Sequence, residues 1–155
     1  VEAPDDLMTR LEEIRKEQEL SEFESRLDSQ RSNSYTPPDF HDLKGSEFED
    51  AIQELLTAKG KSAYQTRDGA DQGADLIIDD LDGKIAVQTK RYQESVSNKA
   101  IQEVVAAKNY YDCDKALVIT NSRFTKSARD LAQKNDVELW DGQKLHKEAE
   151  STRRS

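Results

Sequence analysis

The chemistry-bearing residues of this chain are concentrated between positions 71 and 91, DQGADLIIDDLDGKIAVQTKR, where Asp75, Gln88 and Lys90 bring a carboxylate, an amide oxygen and an ammonium close together. That trio suits hydrolysis of a phosphodiester. The reaction needs a hard divalent cation held by oxygen ligands, and Mg2+ typically takes one or two carboxylates plus waters and a substrate oxygen. Such a cation polarises the phosphate and lowers the pKa of an attacking water, while an ammonium can orient that water or stabilise the pentacovalent charge.

The elements that must hold these residues are legible in the same stretch. Leu76, Ile77 and Ile78, then Ile85, Ala86 and Val87, are short apolar runs rich in β-branched residues, and Asp80-Leu81-Asp82-Gly83 between them carries turn chemistry. The pattern predicts a β-hairpin. A two-residue loop at Leu81-Asp82 pairs Asp75 with Gln88, and one at Asp82-Gly83 pairs Asp75 with Lys90. In either register Asp75 shares a face with Gln88 and Lys90, because strand side chains alternate; a bulge would break that parity. Burying an amide costs roughly 2–7 kcal/mol unless it is paired. An Asp75–Lys90 salt bridge is the purely structural reading of the same residues.

Several motifs in order give a resemblance. G-x-x-x-E at Gly45 to Glu49, D-x-G-A-D-L at Asp71 to Leu76 and V-Q-x-K-R at Val87 to Arg91 are followed by Ala116-Leu117-Val118-Ile119-Thr120-Asn121. Phe124-Thr125, Ala128, Ala132 and Trp140-Asp141-Gly142-Gln143-Lys144-Leu145 complete the series. Over about residues 42 to 146 the chain resembles the Mrr-type restriction endonucleases, a branch of the PD-(D/E)xK nucleases. The resemblance implies a metal-dependent DNA endonuclease using Mg2+, with Mn2+ able to substitute. It makes Asp75 the metal-binding aspartate, Gln88 the replacement for the second acidic residue, Lys90 the catalytic lysine and Glu49 the helical glutamate. Gln88 leaves the site one negative charge short. A catalytically weak or inactive DNA-binding or interaction module with the same fold is the alternative.

Glu49 has two readings. Ser46-Glu47-Phe48-Glu49 fits a capping box, with Ser46 at the helix N-terminus and Glu49 reaching back to it. It also lies at the margin of the stripe Phe48, Ile52, Leu55 and Leu56 on a helix predicted from about Ser46 to Lys59, where a metal ligand belongs. Downstream, Ser97 or Asn98 can cap a helix to about Tyr111, and Lys115 to Thr120 reads as a buried parallel strand. Thr125 caps a helix through about Lys134, and Val137 to Trp140 forms another strand. The order implies an α/β fold, a restriction-endonuclease-like mixed sheet with helices on both faces and an N-terminal charged helical arm. A right-handed crossover after Arg91 would bring the Leu117 strand beside the hairpin.

The net charge of −9 is unevenly spread: residues 1 to 41 carry 5 Lys/Arg and 11 Asp/Glu, and residues 42 to 148 carry 16 and 20. Arg91, Lys99, Thr120, Asn121 and Arg123 are the candidate DNA contacts, with binding expected to be salt-sensitive. His41 and His146 have no metal-ligand spacing, and Cys113 is the one cysteine. Three segments are predicted: an arm and Pro37-Pro38 linker over 1–40, a nuclease domain over 41–148, and a disordered tail over 149–155. The arm carries two apolar stripes, Leu7, Leu11, Ile14 and Leu20, Phe23, Leu27, on a helix or helix pair. DNA is the expected partner, and a second copy of the chain, a separate targeting protein or a segment upstream of Val1 could supply assembly and target choice. No long apolar run or signal-peptide pattern is present, so a cytoplasmic protein without membrane contact is expected.

Overall fold

The structure, a computed structural model, describes residues 9–22, 35–66 and 72–153. It divides the chain into two units, residues 1–34 and 35–155. The core thus begins ahead of the expected boundary at residue 41. Tyr35 packs against the core, and burial is the main reason that its hydroxyl is pushed up to about 12.

In the second unit the elements run α1 (Gly45–Ala58), β1 (Ala63–Gln65), β2 (Leu76–Asp80), β3 (Gly83–Lys90), α2 (Asn98–Tyr110), β4 (Lys115–Thr120), α3 (Lys126–Lys134), β5 (Val137–Trp140) and α4 (Gly142–Arg153). The five strands lie in sequence order, β1-β2-β3-β4-β5. The first three are antiparallel to their neighbours, and β4 and β5 follow parallel to β3. This is the mixed sheet expected from the alternation of runs and helices.

Period-two alternation sorts the core into two layers. Leu76, Ile78, Val87, Leu117 and Ile119 meet Phe48, Ile52, Leu55 and Leu56 of α1 and Leu145 and Ala149 of α4. Ile77, Ala86, Ala116 and Val118 face the other way, onto Ile101, Val104 and Ala107 of α2 and Ala128 and Ala132 of α3. Helices therefore cover both faces. The β2–β3 register, with Asp80 opposite Gly83, is that of the loop at Leu81-Asp82. Thr125 caps α3 as expected, its hydroxyl accepting from Ala128 N at 3.0 Å.

Two sequence expectations need correction. Residues 149–153 are not a loose tail, because α4 continues to Arg153 with Ala149 and Thr152 buried. Polar ties replace the apolar signal there: Lys59, which closes α1, pairs with Glu148 and donates to Thr152 Oγ1 at 3.3 Å. The capping box at Ser46 is also absent. Helix α1 starts one residue earlier, Lys44 takes the N-cap position, and no side chain caps it.

Within the first unit, residues 9–22 are helical, and Leu11, Ile14 and Leu20 are exposed on it. Leu7, Phe23 and Leu27, the remaining members of the predicted stripes, lie outside the described residues.

Gly73 seats the loop that leads into Asp75. Its φ is +81°, and a Cβ there would stand 2.3 Å from the backbone carbonyl oxygen of Glu103 on α2. A left-handed conformation and a backbone clash combine, so Gly73→Ala is expected to cost about 2–4 kcal/mol. Urea denaturation should show this as a lower midpoint with an unchanged slope.

Candidate active site

Asp75 sits at the mouth of β2, where the ladder becomes irregular. Leu76 is the register partner of Val87, yet the backbone N–H of Asp75 also donates to Val87 O at 2.9 Å. Two successive residues thus stand against one, the hydrogen-bond pattern of a β-bulge. The side-chain parity expected from the hairpin fails at this point. Asp75 Oδ2 accepts from the backbone N–H of Thr89 at 2.8 Å and from its hydroxyl at 3.0 Å. Thr89 alternates with Gln88 and Lys90, so Asp75 does not join those two on their face.

Glu49 does reach Asp75. The side chains of Glu49 and Asp75 are hydrogen-bonded, and the Glu49 carboxyl is raised from 4.5 to about 7, first by burial and then by the charge of Asp75. Two carboxyls this close cannot both ionise freely, so one retains a proton near neutrality. Of the two readings of Glu49, the structure has the contact with the aspartate and lacks the cap.

Across β3, Gln88 and Lys90 find a carboxylate that sequence reasoning missed. Glu103 on α2 accepts from Gln88 Nε2 at 2.6 Å and lies 3.4 Å from Lys90 Nζ, both through Oε2. Its other oxygen stands 4.0 Å from Lys99 Nζ. Lys90 Nζ also lies 5.8 Å from the centre of the Tyr92 ring. A recess of about 70 Å³ bounded by Lys90, Tyr92, Lys99 and Glu103 opens beside it. The available signal was the position of Glu103, beside the buried stripe Ala100, Val104 and Ala107 of the helix that follows the chemistry-bearing strand.

The donor set fits a hard cation. Gln88 is only 3% exposed, and its Oε1 is buried with no hydrogen-bond partner. An orphaned amide oxygen and a crowded carboxyl pair are both groups that a cation would satisfy. Among the described residues no three Asp, Glu, His or Cys side chains converge on one point.

The five candidate DNA contacts divide. Thr120 is fully buried, its hydroxyl donating to Lys90 O and accepting from Ser122 N. Asn121 is 6% exposed, accepts from Tyr92 N and lies 3.5 Å from His41 Nδ1. Thr120 is a correction: its side chain ties the ends of β3 and β4 together and is not presented to a ligand, whereas Asn121 makes a similar tie and also lines a groove beside His41 and Arg123. Lys99 and Arg123 are exposed, and half-buried Arg91 donates to His41 O. Arg123 also lines a groove of about 950 Å³ bounded by Pro38, His41, Gly142 and His146.

The Glu49–Asp75 contact generates a pH prediction. Between about 4.5 and about 7 the folded chain holds a proton on Glu49 that the unfolded chain releases. Stability from this group is therefore full at the acid end and falls as pH rises through the window. Thermal melting in chelator should show this descent for the parent chain and its absence in Glu49→Gln.

Comparison with known proteins agrees with this architecture. A family model described as "Restriction endonuclease" (Mrr_cat) matches residues 40–148. No curated protein matches the sequence. Among solved structures, the restriction endonuclease MspJI, in complex with a 27-mer oligonucleotide, is similar at TM-score 0.54 and 21% identity, covering 81% of this chain and 32% of that one. The DNA modification-dependent restriction endonuclease AspBHI is similar at TM-score 0.54 and 18% identity over 67% of this chain and 30% of its own. A protein of unknown function, AF1548, gives 0.53 and 11% over 67% and 58%. The chain thus spans about a third of the two restriction enzymes, and these likenesses speak to the fold alone. With the family model covering most of its length, the chain belongs to the Mrr_cat restriction endonuclease family.

Proposed function

We propose that this chain is the catalytic domain of a DNA endonuclease that hydrolyses phosphodiester bonds with Mg2+, for which Mn2+ can substitute. The observation that carries the reading is the contact between Glu49 and Asp75, with the Glu49 carboxyl raised to about 7, and the next strand carries the orphaned amide oxygen of Gln88. Asp75, Glu49 and Gln88 Oε1 would hold the cation. When bound, it would polarise the scissile phosphate and acidify an attacking water.

The chain's own residues do the rest. Thr89 fixes the Asp75 carboxylate with two hydrogen bonds, so that its orientation is set before substrate arrives. Lys90 ends β3 beside the recess next to Tyr92, where its ammonium can orient water or stabilise charge on the phosphate. Arg91, Lys99 and Arg123 flank that end of the sheet as phosphate contacts. The net charge of −9 leaves little long-range attraction, so binding relies on these local cations and weakens steeply with salt. We place the activity in the cytoplasm, in restriction or defence against mobile DNA. Pairing through the arm or a targeting protein would select the site.

The test uses supercoiled plasmid with Mg2+, Mn2+ or chelator. Asp75→Asn and Lys90→Ala should each slow metal-dependent nicking by about 10²–10³ while leaving the circular dichroism spectrum unchanged. Cutting by Asp75→Asn at the parental rate would refute the assignment.

A further inference from the structure

We infer that Glu103 is a positioning residue for the site, the carboxylate that sets which way Gln88 faces and holds Lys90 beside it. This role rests on the metal-dependent reading above.

An ionised carboxylate only accepts hydrogen bonds, so the end of Gln88 that meets Glu103 Oε2 at 2.6 Å must be the NH2 end. The carbonyl oxygen is thereby turned to the opposite side. There Oε1 is buried without a donor. A buried carbonyl left unpaired is costly, and without Glu103 the amide could rotate to relieve it. Glu103 thus keeps the one Gln88 atom able to bind a cation free of other partners. The same oxygen lies 3.4 Å from Lys90 Nζ, so one carboxylate fixes the two functional residues of β3.

The backbone reinforces the placement. Gly73, two residues before Asp75, packs against the carbonyl of Glu103 so closely that no Cβ fits between them. The loop leading to Asp75 and the side chains of Gln88 and Lys90 are therefore referenced to the same residue of α2. Aligned carboxylates that orient a ligand in this way typically change metal affinity by about 10–100-fold when removed.

The role has a signature that mere structural support lacks. If Glu103 serves by accepting from an amide, replacing that amide with a carboxylate should turn a favourable contact into a repulsive one. Gln88→Glu alone should lower the melting temperature in chelator, and Glu103→Gln should restore it in that background, since the new amide can donate to the new carboxylate. Mn2+ titration calorimetry supplies a second readout. Glu103→Gln and Glu103→Ala should each weaken Mn2+ binding about tenfold or more in the parent background. The double variant Gln88→Glu/Glu103→Gln should bind at least as tightly as the parent.

Additive losses in the double variant, or Mn2+ affinity within about twofold of the parent in both single variants, would overturn the role of Glu103. The endonuclease reading would survive that result if Asp75→Asn still abolished nicking. A parent chain that binds no Mn2+ would instead overturn the metal reading, and this role with it.

Discussion

The irregular pairing at Asp75 governs the site. Its N–H and that of a regular ladder compete for one stretch of β3, and the double claim on Val87 rotates the aspartate out of phase with the strand. Its carboxylate then reaches the N–H and hydroxyl of Thr89, which replace the hydration an 8%-exposed carboxylate has lost. The same rotation brings it to Glu49 on α1. One backbone hydrogen bond thus decides which helix completes the acidic half of the site.

The consequence is a site built from both faces of β3. Odd positions of that strand serve the α1 side through Thr89, and even positions serve the α2 side through Gln88 and Lys90. A central strand buried on both faces is the one element that can present polar groups to both layers. Its polar side chains find partners in the neighbouring elements: Thr89 in Asp75, Gln88 Nε2 and Lys90 in Glu103. Gln88 Oε1 and the nearby Arg91 Nε are the exceptions, and a buried polar atom without a partner is where a ligand is to be sought.

Most of the scaffold was legible in the sequence because its signals are local and repeated. Runs such as Leu76–Ile78 and Val137–Trp140, the Thr125 cap and the turn at Leu81-Asp82 each rest on a few adjacent residues. What was not legible depends on contacts distant in the chain. Parity counting could not register a bulge at Asp75, because nothing in the residue types distinguishes it from a regular strand end. Glu49 satisfies a capping pattern by type, but φ of +26° at Gly45 starts the helix early and leaves no cap to make. Thr120 and Asn121 are polar residues at a strand end, which could face a ligand or bind neighbouring loops, and only the packing of β3 against β4 shows that Thr120 does the latter alone while Asn121 also lines the groove. The last turns of α4 carry few apolar residues, and beside the buried Ala149 they are tied by Lys59, 89 positions before Glu148.

The outer strands of the sheet are its shortest, three residues in β1 and four in β5. Beside β1, Gln53 of α1 takes the carbonyl of Ala63, and Gln65 turns its amide back to Asp50 and Gln53. Short, partly occupied edges offer little backbone for a further strand to join. A protein with such edges can be crowded along a polymer of binding sites, copy beside copy, without its sheets fusing into one another.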